Sequence, residues 1–224
     1  MSSEPIHTVS NVTSGGRIPV GPLDHLVLTA IDLAAACDEC EARLGVRPQP
    51  GGHHPQFGTH NALLGLGGDA YVEIIAIDPD AEVRASYPFN LGDQTGTSAC
   101  TFAAHPDDLD KTAKAILDAT GLDIGPAGPG MRTAPDGTVL KWRLTAPLAA
   151  DPSGLVPFLI DWQAGPSPAD TIGSRVGLLG WGASHPQPAT IAMALDQMGV
   201  PLQVAEGAPN FWVELRGPGG TWRL

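Results

Sequence analysis

The hydrophobic positions of this chain change their spacing several times, which predicts short strands and helices in alternation. Residues 23–28 form an apolar run rich in Leu and Val, which is typical of a strand. Between residues 33 and 44 the apolar positions recur every three or four residues, so they lie on one face of a helix. Asp32 can cap the start of this helix, and Gly45 can end it in the left-handed conformation.

Two further apolar runs complete this first unit, which we place at residues 20–82. The runs 59–66 and 70–77 are joined by a Gly-Gly-Asp turn, so they predict a β-hairpin. The Gly-Gly-His-His-Pro segment before them, residues 51–55, is predicted to be a turn.

The same order of elements occurs again, in a second unit at residues 96–164. Its helix is expected to begin after Asp108 and to end at Gly121, and each of these lies 76 residues after Asp32 and Gly45, respectively. Agreement of strand, cap and stop at one offset favours a duplication. The predicted strands of this unit are residues 99–104, 138–144 and 156–162.

A looser third unit is expected at residues 174–224. Its first strand, 176–183, contains three glycines, which weakens the strand pattern. A helix face around Ile191, Leu195 and Met198 follows and ends at Gly199. The remaining predicted strands are residues 200–204, 211–215 and 221–224.

Composition narrows the class of protein. Of the 224 residues, 42% are hydrophobic and 16% are charged, which favours a packed core over disorder. The net charge of -12 and the scattered Lys and Arg residues argue against nucleic acid or an anionic membrane as a partner. No apolar run is long enough to cross a bilayer, and the polar residues 1–19 are interpreted as a flexible leader. Three cysteines are typical of a reduced cytoplasmic protein.

Four segments occur in a characteristic order along the chain: 24–28 (DHLVL), 58–61 (GTHN), 71–75 (YVEII) and 157–162 (PFLIDW). Together they resemble the glyoxalase-like domain group of the vicinal oxygen chelate superfamily, and the resemblance covers about residues 22–200. It implies an α+β fold of repeated βαβββ modules with curved, mostly antiparallel sheets. It further implies that two modules form an open barrel around a divalent metal, with ligands from the first and last strand of each. By position, His25 and Glu73 are the first-module ligands.

The residues themselves support an unusual role for Glu73. Both faces of its strand are apolar, so the carboxylate cannot lie on a solvated face. Burial of an unpaired carboxylate costs several kcal/mol, so a metal, a cation or protonation must compensate it. The alternative is a buried Glu that is hydrogen-bonded and holds no ligand. For His25 the alternative is a core histidine bonded to a backbone carbonyl.

The second module departs from the pattern that the resemblance implies. Thr101 lies 76 residues after His25, and threonine is a poor metal ligand. The apparent counterpart of Glu73 is Asp161, which lies in the apolar strand 156–162. A site of His25, Glu73 and Asp161 would suit Mg²⁺, Mn²⁺ or Fe²⁺ better than a structural Zn²⁺. A metal-free pocket, in which His25 and Glu73 act as acid-base groups or substrate anchors, stays open.

Four further residues are candidates for the pocket wall. His60 and Asn61 follow one another on a strand, so they cannot both point into one pocket. Trp142 and Trp162 lie on predicted strands, where core packing is the ordinary role and a pocket wall for an aromatic or aliphatic substrate is the functional one.

Two functions therefore remain. The first is a metal-assisted lyase, isomerase, hydrolase or dioxygenase that acts on a small oxygen-rich molecule. The second is a metal-free protein that binds or sequesters a small molecule. Either is expected to be cytoplasmic, and a homodimer is compatible with the superfamily, whose members form the pocket within one chain or across two.

Overall fold

The computed structural model describes residues 21–134, 136–163, 165–173 and 175–224, so the predicted leader at 1–19 lies outside the described residues. None of the helices in these ranges is long and apolar enough to span a membrane. The strands are β1 Leu23–Thr29, β2 Gln49–His54, β3 Thr59–Gly67, β4 Ala70–Ile77, β5 Ser98–Ala104, β6 Gly128–Thr133, β7 Val139–Leu144, β8 Phe158–Asp161, β9 Gly177–His185, β10 Val204–Glu206, β11 Asn210–Gly217 and β12 Gly220–Arg223. The α-helices are α1 Leu33–Leu44, α2 Leu109–Thr120 and α3 Pro188–Met198, and short 3₁₀ helices span Pro88–Asp93 and Pro168–Asp170.

Strands β1 to β8 form one closed barrel in the order β1-β4-β3-β2-β6-β7-β8-β5. The predicted α+β fold of curved sheets is confirmed, and the first two units are the ones that pair. The resemblance implies an open barrel, but the barrel is closed. Between β2 and β6 it closes through one paired position, His53 with Thr133. All of its strands come from one chain, so its interior needs no second copy.

The pairing of β1 with β5 relates the two units by a local two-fold axis. Leu26 pairs with Phe102, while Val27 pairs with Thr101. With the offset of 76 residues, Leu26 and Phe102 are equivalent positions, so the axis passes between them. The duplication predicted from helix caps therefore extends to strand register.

Both helices of the barrel units have the predicted ends. The Asp32 carboxylate accepts from the third helical amide of α1 at 2.9 Å, and Asp108 does the same for α2 at 3.0 Å. Gly45 and Gly121 have φ of 70° and 75°, the left-handed conformation in which glycine avoids a Cβ clash.

Strands β2 and β6 were not predicted, and the turn expected at residues 51–55 is wrong for most of its length. Residues 49–54 form β2, which pairs with β3 along its length. Residues 128–133 form β6, which pairs with β7. Neither segment alternates apolar and polar residues, so each is held in the barrel by backbone hydrogen bonds to a neighbour with a stronger pattern.

The third unit forms a separate four-stranded sheet in the order β10-β9-β11-β12. The glycines that weaken β9 in the sequence have a packing role. A Cβ on Gly182 would lie 2.7 Å from the indole of Trp212, and one on Gly180 would lie 3.1 Å from it. The two glycines therefore let the Trp212 ring lie against the sheet.

Strand β4 contributes to two hydrophobic cores. On β4, Tyr71 and Ile75 pack in a cluster inside the barrel, whereas Val72 and Ile74 join a larger cluster outside it. That outer cluster also contains buried side chains of α1, α2, α3 and the four-stranded sheet of the third unit. Both faces of β4 are consequently buried, as its sequence predicts, and Glu73 lies on the inner one.

Candidate active site

The barrel interior contains a cavity of about 630 Å³, open mouth included. Its wall is mostly apolar and aromatic. The polar side chains in the wall are few, so each can fix the orientation of a bound molecule. The lining residues are His25, His54, Phe57, Asn61, Leu63, Tyr71, Glu73, Ile75, Pro88, Phe89, Arg132, Trp142, Leu144, Pro147, Phe158, Ile160 and Trp162.

A row of three buried side chains, Asp24, His25 and Glu73, lies on one side of this cavity. Asp24 Oδ1 lies 2.6 Å from His25 Nδ1, and Glu73 Oε2 lies 3.6 Å from His25 Nε2. The two ring nitrogens of His25 therefore face two carboxylates, Nδ1 that of Asp24 and Nε2 that of Glu73. The imidazole thus links two carboxylates.

A β-bulge brings Asp24 and His25 together. Successive side chains of a regular strand point to opposite faces, but the register of β1 against β5 shifts between Leu23 and His25. Asp24 is the extra residue of this bulge, which turns its carboxylate toward the neighbouring imidazole. Only 3% of Asp24 and 3% of His25 are exposed.

Two aromatic residues hold this row in place. Trp162 Nε1 donates to Asp24 Oδ2 at 2.8 Å. The Tyr71 ring stacks on the His25 ring with centroids 4.7 Å apart. Burial, together with the carboxylates of Asp24 and Glu73, raises the pKa of Tyr71 well above its ordinary value, so the phenol stays protonated.

Asn61 orients the Glu73 carboxylate. Its Nδ2 donates to Glu73 Oε1 at 2.5 Å. Its Oδ1 is packed against Gly51 and, among the described residues, has no hydrogen-bond partner. No Lys or Arg of the described residues lies within ion-pair distance of Glu73, and the histidine that does so among these residues is His25.

The sequence interpretation missed two polar wall residues, His54 and Arg132. Burial lowers the pKa of His54 from 6.5 to about 4, so this imidazole is neutral near pH 7. Burial also lowers the pKa of Arg132, whose guanidinium donates to the Gly51 carbonyl. Both residues lie on the unpredicted strands β2 and β6, so no sequence pattern assigned them a face.

Three of the four predicted wall residues line the cavity: Asn61, Trp142 and Trp162. The centroids of the two indole rings are 5.4 Å apart in an edge-to-face arrangement. His60 does not line the cavity, because β3 alternates and Asn61 takes the inner side. Instead His60 lies on the outside with His53 and Asp78, in a group that can hold a metal ion.

The three predicted metal ligands are not brought together. Asp161 does not line the cavity; it pairs across strands with Arg143, which bonds to Asp110 on α2. Cross-strand partners project to the same side of a sheet, so the Asp161 carboxylate belongs to the helix-covered outside.

Register identifies the true counterparts of the first-module pair. Val27 pairs with Glu73, and its equivalent Ala103 pairs with Phe158, so Phe158 occupies the position of Glu73 in the second unit. The equivalent of His25 is Thr101, whose Oγ1 donates to the Gly154 carbonyl at 2.7 Å.

These donors do not fit a metal held by the protein alone. His25 Nε2 and Glu73 Oε2 are two ligand atoms at a suitable separation, but Thr101 and Phe158 supply none. Catalytic metal sites commonly have three protein ligands. Among the described residues, no third His, Cys, Asp or Glu completes a group around this pair.

The sequence profile of the glyoxalase-like domain family matches residues 23–199, which is more than half of the chain and contains the whole barrel. The chain belongs to this family. It is thereby a member of the vicinal oxygen chelate superfamily, as the sequence motifs predicted. No curated protein sequence gives a significant match.

Several solved structures are similar to this chain at low sequence identity. A hypothetical protein from Staphylococcus aureus is 12% identical, with a TM-score of 0.56 over 90% of this chain and 84% of its own. Methylmalonyl-CoA epimerase from Mycobacterium tuberculosis is 21% identical, with a TM-score of 0.40 over 69% of this chain and 90% of its own. A mutant 4-hydroxymandelate synthase from Streptomyces coelicolor is 14% identical, with a TM-score of 0.49 over 92% of this chain and 63% of its own.

Proposed function

We propose that this protein is an isomerase or lyase that moves a proton on a small carbonyl compound, with Glu73 as the proton-carrying group. The observation that carries the proposal is the environment of Glu73. Its carboxylate is buried in a largely apolar cavity, held by Asn61 and adjacent to His25, without a Lys or Arg partner among the described residues. A carboxylate in such a place can accept a proton from a bound substrate.

The other polar wall residues have complementary roles in this proposal. Removal of a proton next to a carbonyl places negative charge on the carbonyl oxygen. Arg132 is the cation of the cavity wall and can stabilise that charge in a site of low polarity. His25, fixed by Asp24, positions Glu73 through the contact of 3.6 Å.

The wall favours a substrate with an apolar or aromatic body. Trp142, Trp162, Phe89 and Phe158 offer flat apolar surfaces, and few polar groups lie among them. A molecule with its oxygens at one end and an apolar group at the other suits such a wall. Because His25 and Glu73 lack a third protein ligand among the described residues, we place the proton transfer on the side chains, without a step through a metal.

The proposal is tested by solvent exchange. We would incubate the protein in D₂O with a panel of small 2-hydroxyketones, 2-oxoacids and thioesters and follow loss of the C–H signal by proton NMR. We expect exchange with at least one compound. Glu73→Gln should slow it by about 100-fold or more, since a positioned general base contributes roughly 10²–10⁴-fold.

Asp161→Asn is the matched control, because it neutralises a carboxylate of the same barrel on the helix-covered side. It should leave the exchange rate unchanged. Exchange that survives Glu73→Gln, or that falls equally in Asp161→Asn, would contradict the role of Glu73.

The aromatic wall also favours a second candidate, a protein that binds a small molecule without converting it. The paired indoles of Trp142 and Trp162 would hold an aromatic ligand by stacking. In this case compounds of the panel quench tryptophan fluorescence, but no C–H exchange accompanies binding.

A further inference from the structure

A second cluster of metal-type ligands lies outside the cavity, at the end of the β2–β3 hairpin. His53 and His60 are direct cross-strand partners in this hairpin. Asp78 follows the last residue of β4, the next strand of the barrel. One ligand atom from each of the three side chains lies within 4.8 Å of the other two. Among the described residues, this is the one such group of three.

The carboxylate of this group is already oriented. Asp78 Oδ1 accepts from the Asp80 backbone amide at 3.0 Å, and Asp78 Oδ2 lies 2.6 Å from His53 Nδ1. The Asp78 backbone amide donates to the Gly58 carbonyl at 3.0 Å, which ties the start of this loop to the hairpin. A buried, hydrogen-bonded carboxylate is a pre-positioned ligand, because little freedom is lost when it binds.

We propose that His53, His60 and Asp78 bind a divalent transition-metal ion such as Zn²⁺ at the rim of the barrel. Two imidazoles and one carboxylate are a donor set that such ions prefer, and Mg²⁺ and Ca²⁺ do not. The His53 side chain is 62% exposed, so the ion can enter from solvent and water can complete its coordination.

Metal binding requires only a small movement. Two ligand atoms about 2.1 Å from one zinc ion, at angles near the tetrahedral value, lie roughly 3.4 Å apart. His53 and Asp78 are closer than this because a hydrogen lies between them. Rotation of the exposed His53 ring opens the gap, while the Asp80 backbone amide holds the Asp78 carboxylate in place.

This site is separate from the cavity but shares its wall. His54 and Phe57 line the cavity from the same hairpin whose outer face carries His53 and His60. An ion bound to His53, His60 and Asp78 would tie that hairpin to the end of β4. The ion would therefore hold one wall of the cavity rigid without contacting the substrate.

The experiment is a zinc titration of the full chain, stripped of metal, by isothermal calorimetry. We expect one equivalent of Zn²⁺ to bind and to raise the melting temperature. His60→Gln should weaken binding by about tenfold or more, since even loss of a residue that only supports a ligand costs 10–100-fold. His53→Gln should behave alike, and Co²⁺ bound to the wild type should give the visible absorption of a low-coordinate imidazole site.

Two further variants separate this site from others. His105→Gln removes another exposed imidazole and should leave zinc affinity unchanged. Glu73→Gln should also leave it unchanged, because Glu73 belongs to the cavity. The proposal is overturned if the wild type binds no zinc, if His60→Gln binds as tightly as the wild type, or if Glu73→Gln abolishes binding.

His60→Gln is informative because His60 is not part of the His53–Asp78 contact. If His53 and Asp78 formed only an ion pair and no metal site, His60→Gln would leave zinc binding unchanged. The proton-exchange test of Glu73 can fail while this titration succeeds, so the two proposals stand independently.

Discussion

Replacement of Trp162 by Phe tests whether the buried Asp24 carboxylate depends on its indole partner. Trp162 Nε1 donates to Asp24 Oδ2 at 2.8 Å, and the Asp24 side chain is only 2% exposed. A hydrogen bond to a charged group contributes about 1.5–3 kcal/mol, and water cannot easily replace the lost donor at a buried site. The free energy of unfolding of the variant should fall by this amount, in addition to the loss caused by the weaker packing of the smaller ring.

Trp142→Phe measures that packing loss by itself. Trp142 lines the same cavity, is 7% exposed against 4% for Trp162, and has its Nε1 packed against Gly130 without a hydrogen bond among the described residues. Both variants lose the same atoms from the same wall. The free energy of unfolding, measured by urea denaturation at neutral pH, should therefore fall by about 1.5–3 kcal/mol more in Trp162→Phe.

A double-mutant cycle assigns the difference to the bond itself. In an Asp24→Asn background the carboxylate charge is absent, so Trp162→Phe should cost little more than Trp142→Phe. If the two Phe variants differ by less than about 0.5 kcal/mol in the wild-type background, the reasoning that the indole supports the Asp24–His25 pair is refuted.

Two other predictions follow from the packing of single residues. Burial lowers the pKa of His54 from 6.5 to about 4, so mainly the unfolded chain takes up a proton at this residue as the pH falls from 7.5 to 4.5. The wild type should therefore lose about 2–3 kcal/mol of unfolding free energy over this range that His54→Gln does not lose; equal losses in the two proteins, measured by urea denaturation at both pH values, would contradict the assignment. Gly182→Ala places a methyl group 2.7 Å from the Trp212 indole and should cost about 1–3 kcal/mol, with a smaller cost for Gly180→Ala; the reverse order in urea denaturation would show that the ring does not need this space.

Local sequence signals were sufficient for the helices and for the duplication. Asp32 and Asp108 cap α1 and α2, and Gly45 and Gly121 end them, because caps depend on residues within a few positions of each other. The burial of Glu73 on β4 could also be predicted. A carboxylate among apolar residues on both sides can only be buried, so Glu73 had to face an interior.

Strands without their own pattern could not be found from the sequence. β2 and β6 acquire their conformation from pairing with β3 and β7, each of which follows after a short turn. His54 and Arg132, two of the polar groups in the cavity wall, were missed because they lie on these two strands. His60 was assigned to the pocket although strand alternation allowed only one of His60 and Asn61 to enter it.

By itself, the sequence determined that two units share the order of strand, helix cap and helix stop, and that Glu73 is buried in the first. Only the tertiary structure decided the second half of the site. Register across β5 and β8 aligns Phe158 with Glu73, and it sends Asp161 to the helix-covered side. The physical reason is that a shift of one residue along a strand reverses the face of every side chain, and backbone pairing between distant segments sets that register.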